Sequence, residues 1–199
     1  MPVKRKIPWS DGVYFITTTC CRWLNLIDQS NGYDIIYKWF NVLKEEGHFV
    51  NGFVVMPNHL HALLAFRNTG QLINDIIGNG KRFIAYEIVK RLEQQGKHAL
   101  LDLLCSEVKL TDRSRGKKHE VWKDSFDWKE CRSVEFITQK LDYMHKNPCR
   151  GKWNLVNSPE DYEHSSARFY STGIHAGYPV TNYRELEYMD LTTPYIKQP

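Results

Sequence analysis

Hydrophobic residues follow two different spacings in the first third of the chain. Residues 12–21 (GVYFITTTCC) are rich in β-branched and aromatic side chains, which is typical of a strand, whereas residues 33–47 (YDIIYKWFNVLKEEG) carry apolar residues at helical spacing before a glycine. Two apolar runs follow at 48–56 and 59–66, and only a Pro-Asn pair separates them. Because such a short connection suits adjacent strands, these runs are predicted to form an antiparallel hairpin.

A second helix and a further strand are predicted after the hairpin. Residues 72–96 have the spacing of a long helix, interrupted by Gly78 and Gly80, and residues 120–128 (EVWKDSFDW) are a candidate final strand. The resulting order is strand, helix, strand, strand, helix, strand. This is the split βαβ pattern, so we predict an α+β, ferredoxin-like fold with an antiparallel sheet and helices.

One more helix is predicted beyond this sheet. It begins at about Ser133, a good N-cap, and ends at Asn147 and Pro148. Its apolar residues form one stripe, made of Val134, Ile137, Leu141 and Met144. Tyr143 and Asn147 are four residues apart and lie on one face away from that stripe, so Tyr143 is not an obvious core residue. His145 falls on a different face and is assigned to the surface.

Two histidines, His59 and His61, stand at the head of the second hairpin strand. Because alternate strand residues share a face, both imidazoles are expected to converge on one side, while Leu60 and Ala62 face the other. Neutral imidazole is a common ligand of divalent cations, so the pair is a candidate metal site. A hydrogen-bonded pair without a ligand would produce the same pattern, and the motif by itself leaves both interpretations open.

Length and composition narrow the class of protein. The 199 residues are predicted to form a single domain, with a core at about 10–150 and a C-terminal appendage at about 151–199. The sequence has no apolar run long enough to cross a bilayer and no secretory signal, which favours a cytoplasmic protein. Its five cysteines include no Cys-x-x-Cys pair, so neither a disulfide framework nor a structural zinc site is predicted.

The net charge of +4 and the isoelectric point near 8.7 permit an anionic partner. Basic residues cluster at positions 4–6, around Lys81 and Arg82, and at positions 111–120 (TDRSRGKKHE). The last cluster has no apolar residue and is predicted to be a mobile surface loop. Each cluster alone is an ordinary solvated surface. Only a fold that gathers them on one face would make them a footprint for nucleic acid.

Taken together, PNHLHALLAF on a strand and YMHKNP on a later helix resemble the single-tyrosine HUH transposases, in particular the REP-associated tyrosine transposase branch. The resemblance covers most of the chain, from the first strand to HSSARFY. It assigns the His-hydrophobic-His motif to His59, Leu60 and His61. It also assigns the nucleophilic tyrosine to Tyr143 and the third metal ligand to Asn147. The segment VWKDSFDWKECRS fits the branch only loosely, and the basic segment is longer than usual.

The resemblance implies a transposase that acts as a metal-dependent endonuclease and strand transferase. Its substrate would be single-stranded, hairpin-forming repeat DNA, and its intermediate a 5′-phosphotyrosine. Mg²⁺ or Mn²⁺ is the implied cofactor, whereas two imidazoles by themselves would equally suit Zn²⁺. The enzyme would work as a monomer or a homodimer.

Six residues are candidate contacts to DNA. They are Arg22, Lys81, Arg82, Lys118, Ser165 and Ser166. The four basic side chains would contact the phosphate backbone. The two serines match a Ser-Ser pair of the branch, but an N-cap of a helix within residues 161–170 explains them equally well.

Other classes of protein fit the sequence less well. A histidine-triad nucleotide hydrolase needs a third alternating histidine, where this chain has Leu63, and a two-histidine phosphoesterase needs a second similar motif, which the sequence lacks. The remaining alternative is a catalytically idle, domesticated DNA-binding protein of the same fold. A cleavage assay separates it from an enzyme.

Overall fold

The computed structural model describes residues 6–123 and 125–195. Two residues of the first basic cluster, Lys4 and Arg5, lie outside the described residues, as does Asp124 in the predicted final strand. The strands are β1 Gly12–Thr19, β2 Phe49–Met56, β3 His59–Phe66 and β4 Asp127–Glu130. The helices are α1 Leu26–Gln29, α2 Tyr33–Glu45, α3 Ile73–Gln94, α4 His98–Ser106, α5 Leu110–Arg113, α6 Val134–His145 and α7 Ala167–Thr172. Among the helices described, none is both long and apolar enough to span a membrane.

The strands form one antiparallel sheet in the order β2-β3-β1-β4. Strand β3 pairs with β2 across the predicted turn, where Met56 faces His59, and it pairs with β1 on its other side. This order, with the later hairpin strand between the first two strands of the pattern, is that of the split βαβ arrangement. The predicted ferredoxin-like fold and the predicted hairpin are therefore confirmed.

The two faces of the sheet are covered by different helices. Leu60 and Leu64 of β3 belong to the core formed with α2 and α3. Leu63 points to the opposite face, where it packs in a second cluster with Leu141 of α6. Since alternate residues of a strand share a face, His59 lies on the side of the sheet that α6 covers.

Helix α3 runs without a break through both of its glycines, so the predicted interruption does not occur. Gly80 instead permits close packing of two helices. A Cβ atom at this position would lie 2.2 Å from the indole nitrogen of Trp39 on α2. Any larger residue would have to push α2 and α3 apart.

The final strand begins later than predicted, at Asp127. Trp122 makes only an isolated bridge with Cys20. Its indole N–H donates a 2.8 Å hydrogen bond to the carbonyl oxygen of Lys81. Residues 121–123 thus pair briefly with residues 19–21, through the Cys21 N–H to the Val121 carbonyl and the Lys123 N–H to the Thr19 carbonyl, but they form no continuous strand with β4.

The basic segment 111–120 is more ordered than a simple loop. Its first residues belong to α5, Leu110–Arg113. The Arg113 guanidinium donates a 2.9 Å hydrogen bond to the carbonyl oxygen of Cys105 in α4. Further along, the Lys117 ammonium pairs with the Glu120 carboxylate at 2.6 Å. The prediction of a mobile loop was therefore wrong for the start of the segment, which helix α4 anchors.

Helix α6 begins as predicted, because the Ser133 hydroxyl accepts a hydrogen bond from the Phe136 N–H at 3.2 Å. The buried stripe consists of Ile137, Leu141 and Met144. Val134 was wrongly included in it, since this first residue of the helix is 43% exposed. His145 was wrongly assigned to the surface. It is buried, and its Nε2 shares a 2.8 Å hydrogen bond with the hydroxyl of Ser166.

The segment that follows α6 returns to the free edge of β2. The Val55 N–H donates to the His164 carbonyl at 2.9 Å, and the Thr181 N–H donates to the Val50 carbonyl at 2.9 Å. These bonds cover backbone groups that an edge strand would otherwise leave unpaired. The predicted helical segment 161–170 forms a helix only from Ala167 onward.

A buried histidine outside the candidate site should make the stability pH-dependent. His48 is 2% exposed, and its Nδ1 accepts a 3.2 Å hydrogen bond from the Arg67 backbone N–H. Burial lowers its pKa from 6.5 to about 4. The unfolded chain therefore binds a proton here at a higher pH than the folded chain does. We expect this group to remove roughly 3 kcal/mol of unfolding free energy as the pH falls from about 6.5 to about 4.

Urea unfolding above and below pH 6.5 measures this effect. His48→Gln should show a weaker loss of unfolding free energy on acidification than the unsubstituted protein. The matched control is His98→Gln, at an exposed position, which should retain the full dependence. Equal pH dependence of H48Q and the unsubstituted protein would contradict the prediction.

Candidate active site

The candidate site lies where the start of β3 faces α6. His59 and His61 are 4% and 5% exposed, and their ring centroids are 4.8 Å apart. The two imidazoles thus share one face, as the strand spacing predicted. Their burial favours the neutral form of both rings, because moving a charged imidazolium out of water is costly.

A chain of hydrogen bonds fixes the orientation of His59. The Asn58 amide nitrogen donates to the carbonyl oxygen of Trp23 at 2.9 Å, so the amide oxygen of Asn58 faces the His59 ring. His59 Nδ1–H donates to that oxygen at 2.7 Å, which leaves the lone pair on Nε2. Burial lowers the pKa of His59 to about 4, while a hydrogen bond with the Asn147 side chain raises it in part.

His61 is held from the neighbouring strand. Its Nδ1 lies 2.7 Å from the hydroxyl oxygen of Thr17, and its ring stacks on Phe15 with centroids 5.3 Å apart. When Nδ1 donates to that hydroxyl, Nε2 carries the free lone pair. Burial, with smaller contributions from the nearby positive charges of His59 and Lys140, lowers the pKa of His61 to about 3. Both histidines are therefore neutral at physiological pH, the form that binds cations.

Tyr143 reaches this site from α6. Its side chain is 48% exposed, and its ring centroid lies 5.4 Å from that of His61 and 6.1 Å from that of Phe15. Lys140, one helical turn earlier, places its ammonium nitrogen 5.9 Å from the Tyr143 ring centroid. The tyrosine therefore has its ring packed against His61 and Phe15 while part of its surface remains open to a ligand.

Asn147 follows α6 in a short 3-10 turn, Asn147–Cys149. Its amide nitrogen donates to the Tyr143 carbonyl at 3.5 Å, and its side chain is near enough to His59 to raise the pKa of that imidazole in part. The fold thus brings together all the predicted catalytic and metal-binding residues, which are His59, His61, Tyr143 and Asn147. Within the described ranges there is no group of three or more His, Cys, Asp or Glu side chains suited to a metal. Two neutral imidazoles and an amide oxygen nevertheless fit a divalent cation that keeps positions open for a substrate.

Two tryptophans that the sequence analysis did not select flank His59. Trp23 and Trp153 have ring centroids 6.0 Å and 6.3 Å from the His59 ring. Each carries a lysine ammonium near its ring, Lys123 at 5.6 Å for Trp23 and Lys152 at 5.1 Å for Trp153. The sequence signal for these two tryptophans was the basic residue directly before each of them, Arg22 before Trp23 and Lys152 before Trp153.

Thr17 and Lys140 were also missed. A signal for Lys140 was present, since it precedes Tyr143 by three residues on a predicted helix and so shares its face. Thr17 offered no such signal, because its contact with His61 depends on which residues of β1 and β3 are paired.

Three of the predicted basic contacts line a single cleft of about 650 Å³ between α3 and residues 115–123. They are Lys81, Arg82 and Lys118, and the cleft also includes Arg115, Tyr86 and Lys123. Arg22 is not part of this lining; it lies near Trp23 in sequence and pairs with the Glu107 carboxylate at 3.3 Å. Since Lys123 lies both in the cleft and over the Trp23 ring, the cleft adjoins Trp23, whose ring lies beside His59.

Ser165 and Ser166 are buried, at 0% and 1% exposure. The Ser166 hydroxyl accepts a 2.9 Å hydrogen bond from the Phe53 N–H, and the Ser165 hydroxyl accepts one of 3.1 Å from the Ala167 N–H. Neither hydroxyl faces solvent. Burial therefore argues against the DNA contact considered for both serines; Ser165 bonds the first N–H of α7, whereas the Ser166 hydroxyl bonds the backbone of β2.

The sequence matches no protein-family model, and no curated protein matches it either. Among solved structures, it is similar to a REP-associated tyrosine transposase bound to a REP hairpin. The TM-score is 0.57 at 18% sequence identity, over 92% of this chain and 93% of that chain. The chain has the fold of a REP-associated tyrosine transposase. The transposase resemblance drawn from the sequence is thus confirmed at the level of the fold.

A candidate transposase from Deinococcus radiodurans R1 is a second similar structure. It has a TM-score of 0.38 and 15% identity, over 73% of this chain and 97% of that chain, which is too distant to define a common fold. At 18% sequence identity, the shared fold indicates only where in the molecule a functional site can lie. What this chain's site can do depends on its own side chains.

Proposed function

We propose that this protein is an HUH transposase that cuts and transfers single-stranded DNA at hairpin-forming repeats. The observation that carries the proposal is the convergence of Tyr143 on α6 with His59 and His61 on β3. A solvent-accessible phenol beside two neutral imidazoles suits phosphoryl transfer to tyrosine. The similarity to a transposase bound to a REP hairpin supports DNA as the substrate class.

His59, His61 and Asn147 would hold the divalent cation, Mg²⁺ or Mn²⁺. When bound, the cation would neutralise charge on the non-bridging oxygens of the scissile phosphate. The protein contributes the orientation of the ligands. Asn58 sets the tautomer of His59, and Thr17 lies within hydrogen-bonding distance of the second imidazole.

Tyr143 would act as the nucleophile. Its hydroxyl oxygen attacks the phosphorus atom, the bond from phosphorus to the 3′ oxygen breaks, and a bond from phosphorus to the tyrosine oxygen forms. The phenolic proton is lost, and the departing 3′ oxygen takes up a proton to become a 3′-OH. The DNA segment 3′ of the cut stays attached through its 5′-phosphate. Attack by another 3′-OH reverses the step without ATP, because the phosphodiester energy is kept in the link.

Lys140 and Phe15 would restrict the Tyr143 ring during this step. Phe15 contacts the ring edge-on, and the Lys140 ammonium, 5.9 Å from the ring centroid, would add positive charge that attracts a phosphate. Each site has one such tyrosine, so a monomer carries out one strand transfer at a time. A homodimer would carry out two.

Incubation with single-stranded hairpins from repeats that flank the gene in the source genome, in the presence of Mn²⁺, tests the proposal. A protein-DNA band that survives denaturant is the expected result. Hairpin binding without any cut or adduct would instead favour the catalytically idle, domesticated DNA-binding protein.

Hairpin affinity should fall steeply with salt concentration, because lysine and arginine side chains displace counterions from the DNA backbone. The double substitution Arg115→Gln with Lys118→Gln, in the basic cleft, should weaken binding and reduce the salt slope by about 1 to 2. Fluorescence anisotropy over a salt series measures both quantities. Lys38→Gln, which removes an exposed lysine on α2 that pairs with Asp34 at 3.1 Å, is the matched control and should leave the slope unchanged. A flat salt response of the unsubstituted protein would rule out a nucleic-acid partner.

A further inference from the structure

Trp23 is a large aromatic residue at the surface beside the candidate active site. Its side chain is 51% exposed, and its ring centroid lies 6.0 Å from that of His59. A tryptophan that only completed the core would bury its indole. Half of this residue's surface is instead available to a ligand that reaches the histidines.

The position of Trp23 is tied to the metal-ligand candidate by hydrogen bonds. Its carbonyl oxygen accepts from the Asn58 amide, and the same amide accepts from His59 Nδ1–H. The backbone at Arg22 and Trp23 is left-handed, with φ of 51° and 59°. Bulky residues rarely adopt this conformation, and it persists where surrounding contacts impose it. The chain therefore holds an indole at the surface in an unfavourable backbone conformation that its limited burial does not explain.

The charges around Trp23 suit a nucleic-acid strand. The Lys123 ammonium lies 5.6 Å from the ring centroid and also lines the basic cleft. The ring thus stands between that cleft and His59. A DNA backbone that follows the basic side chains to Tyr143 passes Trp23, and every nucleobase has a flat face that can stack on an indole.

We infer that Trp23 is the stacking platform for an unpaired nucleobase of single-stranded DNA, next to the phosphate that Tyr143 attacks. This inference rests on the proposed function. A base inside a duplex has both faces covered by its neighbours, so stacking on Trp23 selects an unpaired base at the cutting position. Trp23 is accordingly a substrate-positioning residue.

Binding in the absence of a divalent cation tests this inference. The protein used is the full chain with Tyr143→Phe, so that no DNA is cut, and the probes are single-stranded hairpins with an unpaired flank. Trp23→Ala and Trp23→Leu should each lower affinity roughly 5- to 150-fold, while Trp23→Phe should keep most of it. The matched control is Trp9→Ala. Trp9 is 55% exposed and precedes the end of β1 that is opposite to the end paired with His59, so its loss should leave affinity unchanged.

Abasic sites placed one at a time along the flank identify the stacked base. At one position, removal of the base should weaken binding to the protein that keeps Trp23 by the same factor as Trp23→Leu weakens binding to intact DNA. With the abasic DNA, Trp23→Leu should then cause no further loss of affinity. Thermal unfolding shows whether each variant is folded. If the alanine variant is not folded, the comparison of Trp23→Leu with Trp23→Phe still tests the inference.

Equal affinity of the leucine and phenylalanine variants, or an equal effect of Trp23→Leu at every abasic position, would overturn the inference. Because this assay needs no cleavage, DNA binding with the expected Trp23 dependence but no adduct from the unsubstituted protein would reject only the proposed catalysis.

Discussion

Replacement of Tyr143 by phenylalanine should abolish the covalent protein-DNA complex and leave hairpin binding intact. The change removes one oxygen atom and keeps the ring, which packs edge-on against Phe15 and His61. A general acid or base can be replaced in part by water, but a missing nucleophile cannot be replaced without changing the product. The loss should therefore be complete, and any residual cutting should release a free 5′-phosphate.

Denaturing gels of reactions with labelled hairpins measure the adduct, and anisotropy measures binding. Tyr188→Phe, at a tyrosine that is 90% exposed, is the matched control and should form the adduct at the normal rate. Peptide mapping of the normal adduct should place the DNA on Tyr143. DNA on another tyrosine, or DNA from the 5′ side of the cut attached through a 3′-phosphate, would refute the mechanism.

Substitution of either His59 or His61 by alanine should reduce cleavage more than about 100-fold. Loss of a residue that only orients a ligand typically costs 10- to 100-fold, and loss of the ligand itself should cost more. Binding of hairpin DNA should change little, because the basic cleft is separate from the two imidazoles. Cleavage rates measured over a Mn²⁺ series should show whether excess cation restores part of the activity.

Both histidines are buried, so a substitution also leaves a cavity. His48→Ala provides a matched control, since His48 is equally buried but lies between α2 and β2. Assayed where all variants are folded, H48A should cleave normally. Near-normal cleavage by H59A or H61A with the same cation would remove the basis for the HUH assignment.

The sequence by itself determined the elements and the residues of the candidate chemistry. Hydrophobic spacing of two and of about 3.6 residues specified which segments pair as strands and which form helices, since that spacing is set by backbone geometry. The Pro-Asn turn specified the β2–β3 hairpin, and Ser133 specified the start of α6. The same local rules put His59 and His61 on one face and kept Tyr143 off the buried stripe of its helix.

Only the tertiary structure decided which distant residues meet. His145 was predicted to lie at the surface, and Ser166 to be either a helix N-cap or a DNA contact. Instead both are buried, and His145 Nε2 lies 2.8 Å from the Ser166 hydroxyl oxygen. The predicted final strand is divided into a short bridge at Trp122, whose indole bonds to α3, and the strand β4 from Asp127. Trp23 stands at the site because the Asn58 amide joins it to His59. Each of these outcomes depends on contacts between segments far apart in the chain, and a periodic pattern within one segment carries no information about the partner that packs against it.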